Sequence, residues 1–233
     1  MYNDLIDYVI SLKSEEDCKI LQRFFKTDKG QYGEGDLFLG IRVPVLRKIS
    51  KIYWNKINLK DCEKLLKNKY HEIRLLSLFI LIIKYEKNLN DRKEIYNLYL
   101  RNTKYINNWD LVDLSSPNIV GKYIYENEID RNILYKLIES NNLWNIRIAI
   151  LSTFFFIRNK DYKDIIIMSE MLLNNKEDLI HKALGWMLRE VGKRDLNILY
   201  LFLDKYCKVM PRTMLRYSIE KLEYSKKTVY MRK

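Results

Sequence analysis

Three stretches decide the fold: HEIRLLSLFIL at residues 71–81, WNIRIAILSTF at 144–154 and HKALGWMLREVG at 181–192. Each sets a basic residue, Arg74, Arg147 or Lys182, just ahead of or inside an apolar run. The second and third basic residues are 182 − 147 = 35 positions apart. The first two are 147 − 74 = 73 apart, about twice that, and the NNWDLVDL block around Trp109 fills the gap. A spacing in the mid-thirties is the period of paired helices in HEAT-like or armadillo-like solenoids. Around these blocks the apolar period is helical, as in Leu65, Leu66, Tyr70, Ile73, Leu76, Phe79 and Ile80, and Asn and Asp clusters mark the turns. The expectation is an all-α helical-repeat solenoid, one domain over residues 1–233. The second helix of each pair would line a concave basic groove, with the recurring cations exposed in it.

Composition agrees. Seven glycines and three prolines in 233 residues are too few for the many turns of a β-sandwich or barrel, and 48% hydrophobic residues suffice for a core. The net charge is 42 − 30 = +12, which makes nucleic acid the leading partner and, for a groove of this kind, favours a duplex. The longest apolar stretches, Leu75 to Ile83 and Ile148 to Ile157, fall short of the roughly 20 residues a bilayer needs. Asp4 and Asp7 stand where a signal peptide would be basic or apolar, so the cytoplasm is the expected address. Cys18, Cys62 and Cys207 are odd in number and far apart, and the histidines are His71 and His181 alone. Reduced thiols, no metal or other cofactor and a monomeric chain follow as expectations.

Four of the seven glycines fall in KTDKGQYGEGDLFLGIRVP, residues 26–44. This is the one clear non-helical insertion, about residues 26–38, and reads as a loop or short hairpin. It is a poor phosphate cradle, since GQYGEG is not in GxGxxG order and no Lys-Ser or Lys-Thr follows. Its Lys29, and Arg42 just beyond, are candidate phosphate contacts. The basic tail 226–233, KKTVYMRK, reads as a solvated end or an auxiliary phosphate contact. Ser14 ahead of Glu15, Glu16 and Asp17 reads as a helix cap with acids in the first turn.

Trp109 and Asp113, four apart on a helix beginning near Asn108, share one face. Pro117 ends that helix, or starts the next with Ser116 as its cap. For an arbitrary pair, a buried Trp and an exposed or capping Asp would be the default. The next unit places Trp144 and Arg147 three apart, and Lys182, Trp186, Arg189 and Lys193 then run i, i+4, i+7, i+11. Three cations and one Trp do not make a core face. Such a stripe is either a solvated face with a stray aromatic, or a surface that sets cations on phosphates and an indole against sugar or base. Recurrence of the cation favours the second. His71 and His181 read as repeat-packing or surface residues.

YGEGDLFLGIRVPVLRK from Tyr32, INNWDLVDLSSPNIVGKYI from Ile106, LWNIRIAILSTF from Leu143 and IHKALGWMLREVGK from Ile180 resemble the DNA alkylation-repair family of AlkD-like proteins, in the family's order. The resemblance implies a HEAT-like solenoid that binds duplex DNA. Its glycosylase members excise cationic N3- or N7-alkylated purines without a base-flipping pocket. It makes Asp113 the catalytic carboxylate, Trp109 and Trp186 the indoles against the lesion nucleotide's sugar, and Arg147 a backbone contact. Arg74, Lys182, Arg189 and Lys193 join Lys29 and Arg42 as expected DNA-binding residues. The Gly-rich insertion resembles a branch with an added hairpin, which keeps a non-catalytic binder of branched or damaged DNA as an alternative. A scaffold for acidic proteins is the third.

Overall fold

A computed structural model describes residues 1–232. It is all-α and built of helix pairs in the HEAT-like or armadillo-like manner that the period predicts. The chain forms two compact units, Met1–Ser115 and Ser116–Lys233.

In the first unit, α1 (Tyr2–Ser11) and α2 (Glu15–Phe24) precede the Gly-rich segment. After it come α3 (Val43–Tyr53), α4 (Leu59–Leu66), α5 (His71–Lys87), α6 (Arg92–Arg101) and α7 (Trp109–Ser116). Ser14 caps α2 as its sequence predicts, accepting from the Asp17 amide at 3.3 Å. Helix α5 is the centre of this unit and packs against α3, α4 and α6. Every residue from His71 to Leu81 is buried, because a helix apolar on nearly all faces has no stable place except the interior.

The Gly-rich segment is not a hairpin. Gly30 and Gly35 take positive φ in successive turns, and the segment then makes one isolated parallel bridge, Leu37 to Tyr70, at the start of α5. No second strand forms because the first turn of α5 claims its polar groups. The His71 amide donates to Leu37 O at 2.8 Å, and the Glu72 carboxylate accepts from the amides of Leu39, Gly40 and Ile41 at 2.8–3.2 Å. Gly40 is required twice over, with φ +83° and a position where a Cβ would lie 2.1 Å from Ser14 O.

In the second unit Pro117 opens a π-helical turn, Pro117–Gly121, that runs on into α8 (Lys122–Glu126). Then follow α9 (Asn132–Glu139), α10 (Leu143–Arg158), α11 (Lys163–Met171), α12 (Asp178–Gly192), α13 (Leu196–Tyr206), α14 (Arg212–Ser218) and α15 (Tyr224–Arg232). Helix α10 packs on α9, α11 and α12, and α12 packs on α13 and α14, so each repeat buries its neighbour's apolar face. Asn142 starts α10 by accepting from the amides of Trp144 and Asn145. Gly185 allows α12 to approach α14, since a Cβ there would lie 2.5 Å from Met214 O.

The basic tail is a docked helix rather than a free end. Tyr230 is buried, and its hydroxyl lies 3.1 Å from Asp204 Oδ1. Lys233 lies outside the described residues. No helix among them is long and apolar enough to cross a membrane.

Candidate nucleic-acid interface

Helix α7 starts where its sequence places it, with the Asn108 side chain accepting from the Trp109 amide at 2.8 Å. Trp109 and Asp113 then lie one turn apart, and both are half-buried. Trp109 lies at the edge of the hydrophobic core. It sits against an aromatic group that its own helix does not supply: Phe25 stacks on it at 5.3 Å between ring centroids, and Phe24 meets it edge-on at 5.8 Å. Phe24 is 60% exposed, an unusual position for an aromatic ring beside a candidate indole.

Phe25 and Phe38 also pack on the ring of His71, whose two nitrogens meet carboxylates from different elements. Nδ1 lies 3.1 Å from Asp36 and Nε2 lies 2.8 Å from Asp110. His71 is therefore buried, but it is an ion-paired junction rather than simple repeat packing. Burial opposes its charged form, yet the charges and hydrogen bonds of Asp110 and then Asp36 outweigh that and raise its pKa to about 9. Burial would likewise raise the Asp36 carboxyl, but His71 and Arg74 hold it below the usual range.

The cations divide. Arg74 and Arg147 correct the expectation of exposure, each being only 5% exposed. Arg74 donates to Asp36 at 2.5 Å and to the carbonyls of Asn68 and Lys69, tying the loop and the α4–α5 turn to α5. Arg147 donates to Leu179 O at 2.5 Å, tying α10 to the first turn of α12. Buried guanidinium groups with such partners serve packing.

Lys182, Trp186, Arg189 and Lys193 remain at least partly accessible along α12. Lys182 pairs with Asp178 at 2.8 Å, Arg189 with Glu220, and Lys193 with Glu190 at 2.6 Å. Trp186 is half-buried beside Phe154, with centroids 5.9 Å apart, and Arg158 and Arg194 lie over the Phe154 ring at 4.1 and 6.0 Å. Arg189 and Lys193 also line a 250 Å³ surface cavity with Lys221 and Ser218. In the first unit Lys29 is exposed in a turn, and Arg42 is exposed but paired with Asp17 at 2.7 Å.

Phe24, Phe154, Arg158 and Arg194 escaped the sequence reading, as did the Asp36–His71–Asp110 junction. The available signal for the junction was the cluster of His71, Glu72 and Arg74 opening an otherwise apolar helix. Among the described residues no group of three or more His, Cys, Asp and Glu is placed to hold a metal ion.

The family model for DNA alkylation repair enzymes matches residues 6–222. Among curated proteins none matches the chain in sequence. A solved structure with the same fold is that of a predicted DNA alkylation repair enzyme from Enterococcus faecalis, at a TM-score of 0.72 and 15% identity, covering 91% of this chain and 97% of that one. Its likeness is one of fold, and the family match carries the assignment: the chain belongs to the DNA alkylation repair enzyme family.

Proposed function

We propose that the protein is a DNA glycosylase that removes cationic N3- or N7-alkylated purines from duplex DNA. The observation that carries this reading is α7, which leaves Trp109 and Asp113 one turn apart and both partly accessible. Alkylation at N3 or N7 puts positive charge on the purine, so the base leaves without a general acid. The sugar then develops oxocarbenium character. A carboxylate and indole faces stabilise that charge, and the carboxylate also orients the attacking water.

Asp113 is assigned the carboxylate role, and Trp109 and Trp186 are assigned contacts to the nucleotide's sugar. Lys182, Arg189, Lys193, Lys29 and Arg42 are assigned phosphate contacts, which position the duplex without reading its sequence. Arg74 and Arg147 are left out because their guanidinium groups are buried.

The test is release of free base from methylated duplex. Wild type is expected to release 7-methylguanine or 3-methyladenine and to leave uracil in place. Asp113→Asn is expected to keep duplex affinity and lose about 10²- to 10³-fold in rate, with Trp186→Ala losing less. Tight duplex binding without base release would overturn catalysis in favour of a structure-specific DNA binder. Absence of any duplex preference would favour a protein scaffold.

A further inference from the structure

The proposed chemistry uses Trp109 and Asp113 but not the charged cluster in the same unit, the buried Asp36, His71 and Arg74 with the half-buried Asp110. Their geometry fixes a protonation state. Both ring nitrogens of His71 meet carboxylate oxygens, and a carboxylate only accepts, so both nitrogens must donate. An imidazole with two N–H groups is an imidazolium. The charge balance agrees, since Asp36 and Asp110 then face His71 and Arg74 as two negatives against two positives. The charged groups around the ring come from each packed element: Asp36 from the loop, Asp110 from α7, and Arg74 from α5 itself through Asp36.

Two routes lead from this ring to Trp109. One is the hydrogen bond to Asp110, the next residue in α7. The other is the Phe25 ring, which packs on His71 at 4.9 Å and stacks on Trp109 at 5.3 Å. Asp110 depends on this contact, because its other oxygen, Oδ1, is buried and has no hydrogen-bond partner among the described residues. Without an N–H at Nε2 of His71 the Asp110 carboxylate would have no hydrogen bond among the described residues.

We propose that His71, as a buried imidazolium, is a positioning residue that holds Trp109 and the first turn of α7, and so Asp113 one turn further on, in the orientation that excision requires. The inference rests on the role given to α7 above. Loss of the proton leaves one ring nitrogen as a lone pair facing a carboxylate, Asp36 or Asp110, and so loosens the junction on which the first turn of α7 rests. Activity should therefore fall as pH rises through about 9.

The test uses the full chain labelled with ¹⁵N-histidine and 5-fluorotryptophan. At pH 7 both ring nitrogens of His71 are expected to be protonated. The Trp109 fluorine resonance, assigned by Trp109→Phe, is expected to shift at the same alkaline pH as His71. In His71→Gln that shift should vanish. Base release from methylated duplex should drop about 10-fold or more in kcat with KM nearly unchanged, and the alkaline limb of its pH profile should disappear. A neutral His71 at pH 7, or a Trp109 shift that survives in His71→Gln, would overturn the proposal. Should His71→Gln fail to fold, the wild-type titrations decide, and different midpoints for His71 and Trp109 overturn it. If wild type releases no base while Trp109 follows His71, the excision reading falls and the control of α7 by His71 stands.

Discussion

In α5 of the first unit, the charged residues of the first turn, His71, Glu72 and Arg74, are all buried, whereas in α12 of the second unit Lys182, Arg189 and Lys193 keep some contact with solvent. The sequence pattern is similar at both places, a basic residue leading or entering an apolar run. What differs is the covering. The start of α5 is overlaid by the Gly-rich segment, which brings Asp36 to Arg74 and the Leu39–Ile41 amides to Glu72. The cations of α12 meet carboxylates of the same helix or Glu220 and stay near the surface. A recurring basic residue is therefore a structural tie in one repeat and a candidate phosphate contact in another, and the local cover decides which.

The sharpest way to break this contrast is Asp36→Ala. It leaves Arg74 and His71 buried without their shared carboxylate, and breaking such a network by removing one partner costs about 3–5 kcal/mol. Urea unfolding should show that loss, and a change below about 1 kcal/mol would mean that the loop is not held by these charges.

Arg147→Ala comes next. Losing a hydrogen bond from a charged group costs about 1.5–3 kcal/mol, so stability should fall while the salt dependence of duplex binding stays as in wild type. A flatter salt slope with unchanged stability would return Arg147 to the DNA-binding set.

The pH dependence of stability is a gentler probe of the first unit. The folded pKa of His71 is raised to about 9, so the folded state holds a proton that the unfolded chain releases near the ordinary pKa of about 6.5. The stabilisation is complete below about pH 6.5 and is lost as pH rises through about 9, with a limiting slope of about 1.4 kcal/mol per pH unit. His71→Gln should lack that slope when both proteins are unfolded by urea across the range.

The smallest effect belongs to the second unit. Lys193→Ala should reduce the slope of log affinity against log salt by about 0.9, the value for one phosphate contact, without changing sequence preference or stability. An altered base preference with an intact slope would show that α12 reads base edges.

Much of the architecture was legible because helical periodicity and the spacing of the three blocks are local properties of the chain. The cap at Ser14, the start of α7 at Asn108 and the non-helical segment after Lys26 all rest on neighbouring residues. The burial of Arg74 was not legible, since its partner Asp36 lies 38 residues away and approaches only because the loop folds onto α5. Of the loop and the hairpin that the glycines allowed, the structure has the loop, and the choice was not legible because positive-φ glycines specify turns but not what the turns pack against. The shared face of Trp109 and Asp113 was legible from their spacing on one helix and their proposed role from the family resemblance, while Phe24 and His71 reach that neighbourhood from elsewhere in the sequence.

Glu72 has a consequence for how this unit opens. Its buried carboxylate accepts from three consecutive loop amides, those of Leu39, Gly40 and Ile41. Surface loops ordinarily exchange their amide hydrogens by small local fluctuations. Here the three amides can exchange with deuterium only when the first turn of α5 lets go, so they should be labelled together and as slowly as the helix interior. In hydrogen-exchange terms this stretch without regular secondary structure belongs to the same cooperative unit as the most buried helix of the first half.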